Sequence, residues 1–163
     1  PVEPGVVTVG TFHAGTATNI IPDEAKIEGT ARTLSPKARL AVKAAIERRC
    51  RGVAAANNCE LKFDYHMGYP PTINDPKMTD YIASVARKVV GSDRYLTAPH
   101  PSMGGEDFAY YLEQVPGCFF LIGVQPAGAD RHPPLHSDRF DFTDAATGVG
   151  VRMFVEAVVG FRG

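Results

Sequence analysis

The sequence predicts two architectures in succession, an α+β unit followed by an α/β unit. Three observations carry that expectation. Two alternating, β-branched stretches near the N-terminus precede one amphipathic helical pattern and a third alternating stretch. A proline-rich break, "PPTINDP" at residues 70–76, then interrupts the chain. Beyond it, amphipathic helical patterns flank a continuous apolar run, "CFFLIGV", the pattern of a strand buried on both faces.

The first unit reads in order as follows. "GVVTVGTFHAG", residues 5–15, is β-branched and alternating, so it is a strand. After a turn at "NIIPDE", the stretch "EAKIEGTART" sets Ala25, Ile27, Gly29 and Ala31 against Lys26, Glu28, Thr30 and Arg32. That alternation predicts a half-buried antiparallel partner over 25–33. Ser35-Pro36 is an N-cap followed by proline at the first helical position. The helix that follows carries Val42, Ile46, Cys50 and Val53 on one stripe. "CELKFDYHMGY" alternates Leu61, Phe63 and Tyr65 and predicts a third strand. The order β-β-α-β is an incomplete ferredoxin-like two-layer sandwich, short of one β-α pair.

In the second unit, Asp75-Pro76 opens a helix striped by Met78, Ile82, Val85 and Val89 and closed by Gly91. "SMGGEDFAYYLEQVPG" is a glycine turn leading into a short helix. "QPAGADRHPPL" is a loop, and a last helix runs from Thr143 or Asp144 to Val159. That helix is apolar on most sides, through Val149, Val151, Phe154, Val155 and Val158, which predicts that it is sandwiched within a larger body. One strand is too few for a sheet, so this unit also reads as incomplete.

Composition narrows the classes of function. Hydrophobic residues make up 44% and charged residues 21%, the balance of a globular protein. Seventeen basic residues against eighteen acidic give a net charge of −1, which argues against a nucleic-acid or anionic-membrane surface. No apolar run reaches the ~20 residues of a membrane helix. The chain lacks an initiator methionine and a signal-like segment and opens almost directly into a strand, which points to part of something longer. Cys50, Cys59 and Cys118 are odd in number and show no C-x-x-C spacing. They are expected to be reduced, buried thiols of a cytoplasmic protein.

Four places could carry chemistry, each with a plainer reading. "HAGTATNIIPDEA" flanks a tight turn with His13 and Asn19, and an ordinary hairpin connection explains it equally. Arg32, at a strand end, is ordinarily solvated, yet its planar fork suits a carboxylate. In "MGGEDF", Gly104 and Gly105 leave backbone N–H groups open to an anion, while Glu106 and Asp107 in the first turn of a helix are explained by its dipole. His136 stands between a proline pair and the alternating "RFDF", either as a packed imidazole or as a metal or acid–base group. The sequence contains no HExxH, GxSxG, phosphate-loop or dinucleotide motif.

In order, "GTFHAGTATNIIPDEAKIEGTART", "GYPPTINDP", "PSMGGEDFAYYLEQVPGCFFLIG" and "PPLHSDRFDF" resemble the C-terminal part of the di-metal amidohydrolase and metallopeptidase family. Hippurate hydrolase, N-acyl-amino-acid amidohydrolases and auxin-conjugate amidohydrolases belong to that family. The four blocks together are specific, and they cover essentially the whole chain. The resemblance implies a catalytic α/β domain with two divalent ions, zinc or manganese, and an inserted α+β lid that mediates homodimerisation. Residues 1–72 would be the later part of the lid, and 73–163 the C-terminal part of the catalytic domain.

By the same resemblance, His136 falls at the family's C-terminal metal-ligand histidine. Asn19 and Arg32 fall where the substrate carboxylate is bound, Asn19 reaching the partner subunit's active site. Gly104 and Gly105 fall on a substrate-contacting loop, whereas Glu106 has no implied direct role. The family's other metal ligands and its general-base glutamate precede the lid and have no counterpart here, and His13 does not match the lid's active-site histidine. The implied activity is metal-dependent hydrolysis of the amide of hippurate-like N-acyl amino acids. The chain itself would hold no catalytic residue and be inactive alone. The competing readings are a non-catalytic dimerisation or binding fragment of the same fold, or a hydrolase completed by a separate chain.

Overall fold

The computed structural model describes residues 3–162. They form two antiparallel strands, β1 (Gly5–Ala14) and β2 (Ala25–Thr33), and four helices: α1 (Pro36–Ala56), α2 (Pro76–Val90), α3 (Ala109–Leu112) and α4 (Asp144–Gly160). The chain divides into two compact units. One comprises the residues up to Ile73 together with Pro99–Tyr111, and the other Asn74–Ala98 together with the residues from Leu112 onward.

In the first unit, β1 and β2 pair from Gly5 opposite Thr33 to Ala14 opposite Ala25, with a bulge between Val9 and Thr11. Across the bulge stands Gly29, where a Cβ would lie 2.3 Å from the Thr8 carbonyl oxygen. Only glycine lets the two backbones approach so closely. The expected half-buried face of β2 is absent. Ala31 and Thr33 are partly covered, but Ile27 is 58% exposed. Alternation gives a strand its period, and burial of one face requires a packed layer, which α1 supplies only at the Thr33 end.

Helix α1 starts as its sequence dictates. The Ser35 hydroxyl accepts from the Ala38 N–H at 3.1 Å, and Pro36 occupies the first turn, where its missing N–H costs nothing. At the other end the Asn57 amide donates to the Val53 carbonyl at 2.9 Å. The third expected strand does not form a ladder. Residues 59–75 carry no strand or helix, although Leu61, Phe63 and Tyr65 are partly buried while Lys62, Asp64 and His66 are exposed. The period of two is there and the hydrogen-bonded neighbour is not.

The second unit is organised by α2 and α4. Asp75 caps α2 by accepting from the Met78 N–H at 2.9 Å, and Gly91, at φ 87°, ends it. Ala83 and Val85 of α2 and Met153 of α4 are buried. Tyr81 donates its hydroxyl to the Ala157 carbonyl at 2.6 Å, and Lys88 pairs with Glu156 at 2.5 Å. Thr143 caps α4. The apolar run at 118–124 is no strand among the described residues. Phe120 packs on Phe154, and Ile122 lies where a side chain at Gly150 would go, while Leu121 is 77% exposed. One face of the run is therefore covered by α4, and the expected burial of both faces is not met. Helix α4 likewise leaves Val151, Phe154, Val155, Val158 and Val159 exposed.

The Asn74 side chain substitutes for a strand neighbour. Its amide donates to the Phe119 carbonyl and its oxygen accepts from the Phe119 N–H, both at 2.8 Å. The Asp75 N–H donates to the Gly117 carbonyl at 2.9 Å alongside. The three cysteines are free thiols, but none is fully buried as expected: Cys50 and Cys118 are half-buried and Cys59 is exposed, since its segment gains no covering layer. Burial pushes the Cys118 thiol above its ordinary value, with the Thr79 hydroxyl partly offsetting the shift.

Two outcomes are expected. Gly29→Ala should lower stability by about 1–3 kcal/mol through forced strand separation. Gly52→Ala, at a helical position with nothing within 4 Å of the new Cβ, should raise it by about 0.5–1 kcal/mol. Urea unfolding followed by circular dichroism compares the two, and equal effects would remove the close-approach argument. With an aromatic disulfide reagent at mildly alkaline pH, Cys59 should react first and Cys118 last, because Cys59 is exposed while burial raises the Cys118 thiol. Mass mapping of the labelled peptides gives the order.

Candidate functional site

Arg32 stands next to the end of β2, opposite Val6 in the ladder, and one of its guanidinium nitrogens donates to the Thr30 hydroxyl at 2.9 Å. Arg32 also lines a cleft of the first unit together with Arg39, Tyr65, Tyr69, Gly104 and Gly105. Three residues singled out in the sequence, Arg32, Gly104 and Gly105, thus share one cleft. Gly105 lies beside the Tyr69 ring, 3.4 Å from where a Cβ on the glycine would be.

The glycine pair does not open a helix. Helix α3 begins only at Ala109 and is a single turn, so Glu106 and Asp107 precede it and no helix dipole acts on Gly104 or Gly105. The Gly104 N–H donates to the Ser102 hydroxyl at 3.1 Å, while Gly105 makes no hydrogen bond to another described residue. The Glu106 carboxylate accepts from the Phe108 N–H at 3.3 Å within its own turn.

Asn19 lies in the connection between β1 and β2, and Arg32 lies seven residues along β2 from its first residue, Ala25. At about 3.3 Å per residue, Arg32 is roughly 23 Å along the strand from Ala25. Asn19 is not among the residues that line the cleft with Arg32. His13, exposed on β1 opposite Lys26, is near the Asn19 end.

His136 belongs to the second unit, in the turn closed by the Ser137 N–H donating to the Pro134 carbonyl at 3.1 Å. Its φ is +68°, a conformation that non-glycine residues seldom adopt and that recurs at functional sites. The imidazole is exposed and makes no hydrogen bond to another described residue, so a ring nitrogen is available to a metal. His132, four residues earlier, is turned differently. Its ring meets Phe140 edge-on at 5.7 Å and its Nε2 is buried with no partner among the described residues. A catalytic zinc takes about three protein ligands, and no group of three or more His, Cys, Asp or Glu gathers among the described residues. Among the described residues His136 is thus a single exposed donor, short of the set that such an ion takes.

Sequence reasoning missed Arg39, Tyr65 and Tyr69. Arg39 reads as a solvated helix position and the tyrosines as members of an alternating strand, and nothing local joins them to Arg32.

Residues 2–159 match the model of peptidase family M20/M25/M40. The chain is 37% identical over 163 residues to N-acetyldiaminopimelate deacetylase of Enterococcus faecalis, covering 99% of this chain and 40% of that protein. It is 33% identical over 142 residues to thermostable carboxypeptidase 1 of Saccharolobus solfataricus, covering 86% and 35%. Among solved structures, the Bacillus subtilis YXEP protein, described as a dinuclear metal binding peptidase from the M20 family, aligns with a TM-score of 0.79 at 31% identity. That alignment covers 95% of this chain and 41% of that one. The chain spans about 40% of the length of such relatives. On the family match over nearly its full length, this chain belongs to peptidase family M20/M25/M40, a family whose relatives of this chain are hydrolases.

Proposed function

We propose that this chain is the later part of a metal-dependent amidohydrolase that cleaves the amide of N-acyl amino acids, with the Arg32 cleft receiving the substrate carboxylate. The observation that carries the reading is that Arg32, Gly104 and Gly105 line one cleft. Thr30 steadies one nitrogen of the fork, and the remaining donors are arranged for a planar two-oxygen anion. The Gly105 N–H is a neutral donor in the same cleft.

On this reading the hairpin and α1, within the first unit, belong to the lid that forms the homodimer, and Asn19, in the turn of that hairpin, serves the partner subunit's site. The first residues through about 72 are the lid portion and 73–163 the catalytic portion, in a cytoplasmic enzyme. His136 holds one of two divalent ions, zinc or manganese. Such ions supply charge that polarises the scissile carbonyl and acidifies water. This chain's own contribution is to orient: Arg32 fixes the carboxylate end of the substrate, and the Pro133-Pro134 pair and left-handed backbone fix the His136 ring.

In the complete enzyme, Arg32→Ala should reduce kcat/KM on an N-acyl amino acid by the equivalent of ~2–4 kcal/mol, and Arg32→Lys should restore only part. Near-wild-type kcat/KM for Arg32→Ala would remove the carboxylate assignment. His136→Gly deletes the imidazole while relieving the positive φ. It should retain or improve thermal stability while lowering bound metal, measured by elemental analysis after dialysis. Full metal occupancy in His136→Gly would show that the ligand lies elsewhere.

A further inference from the structure

The wall of the cleft facing Arg32 is built from a segment without secondary structure. Residues 59–75 form neither strand nor helix, and no backbone–backbone hydrogen bond joins residues 60–73 to another described residue. Tyr65 and Tyr69 of this segment line the cleft. A chain with no ladder to hold it must be positioned by side chains.

Two cations from α1 do this. The Arg39 guanidinium donates to the Gly68 carbonyl. One helical turn on, the Lys43 ammonium lies 5.8 Å from the Tyr65 ring centroid. The i, i+4 spacing puts both on one face of α1, whose Ser35 cap is two residues beyond the end of β2. Next to Gly68, the Tyr69 ring stands edge-on to Tyr110 at 5.9 Å, and it lies beside Gly105, 3.4 Å from where a Cβ on that glycine would be. A line of contacts therefore runs from Arg39 through Gly68 and Tyr69 to the glycine pair, all within the first unit.

We infer that Arg39 is a positioning residue for the Arg32 cleft: by holding the Gly68 carbonyl it sets Tyr69 against Gly105 and keeps the cleft's walls at the spacing a carboxylate needs. The inference rests on the reading of the cleft as the carboxylate site, and it adds a residue that acts without touching substrate. Arg39 differs from Arg32 in what it demands of its side chain. A carbonyl oxygen needs one donor, which lysine also offers, whereas a carboxylate uses the whole fork.

The test uses the full-length enzyme with N-acetyl and N-benzoyl amino acids as probes, and hydrogen exchange by mass spectrometry on the same proteins. Arg39→Ala should raise KM about tenfold with kcat changed less than about twofold, since it loosens binding and not the reacting atoms. Arg39→Lys should regain most of that loss, while Arg32→Lys does not. Exchange across residues 60–71 should quicken in Arg39→Ala and return toward wild type in Arg39→Lys, while Arg32→Ala leaves it unchanged. If Arg32→Ala raises KM and Arg39→Ala does not, or if Arg39→Ala lowers kcat at unchanged KM, the positioning role is wrong while the carboxylate site stands. If Arg32→Ala is kinetically silent, the carboxylate site is wrong. Unaltered exchange in Arg39→Ala overturns the inference whatever the kinetics.

Discussion

The antiparallel ladder between β1 and β2 is the constraint on which the first unit depends. Its register places Val6 opposite Arg32 and Ala14 opposite Ala25, so a single hairpin carries Arg32 at one end and Asn19 at the other. The bulge and Gly29 set that register. Where the extra residue of β1 is accommodated, the backbones come close enough that only a glycine fits, and a slip of one residue would present Arg32 to the opposite face. The hairpin is otherwise thinly supported. Val7, Val9, Phe12 and Ile27 are all more than half exposed, and hydrogen bonding in place of packing maintains the geometry.

Both units replace missing sheet neighbours with side chains. In the first, Arg39 and Lys43 hold the segment through Tyr65 and Gly68. In the second, the Asn74 amide pairs with both backbone groups of Phe119 as a strand would. Asn74 adjoins the cap of α2, so the same few residues that start the helix also anchor the apolar run. An amide side chain offers one donor and one acceptor in a plane, the minimum that imitates a peptide unit. The exposed apolar face of α4 and the exposed Leu121 belong with a chain that spans about 40% of the length of its relatives.

By itself the sequence determined the local elements. Ser35-Pro36, Asp75-Pro76, Gly91 and Thr143 mark helix ends whose hydrogen bonds close within a few residues, so their chemistry is readable in the order of the letters. The two strands, 5–15 and 25–33 in expectation, were readable from their alternation and adjacency in the chain, ten residues apart. The stretches 59–69 and 118–124 have the periodicity of strands and are not strands here, because a ladder depends on a neighbour that periodicity does not name. Arg32, Gly104, Gly105, Asn19 and His136 were legible only as parts of a family pattern. That Arg32 and the glycine pair share a cleft, that Asn19 does not, that His136 sits at positive φ, and that Arg39 and Tyr69 join the cleft wall were decided by tertiary structure alone. The cleft rests on residues some 30 to 70 positions apart, where loop closure and packing settle which side chains meet.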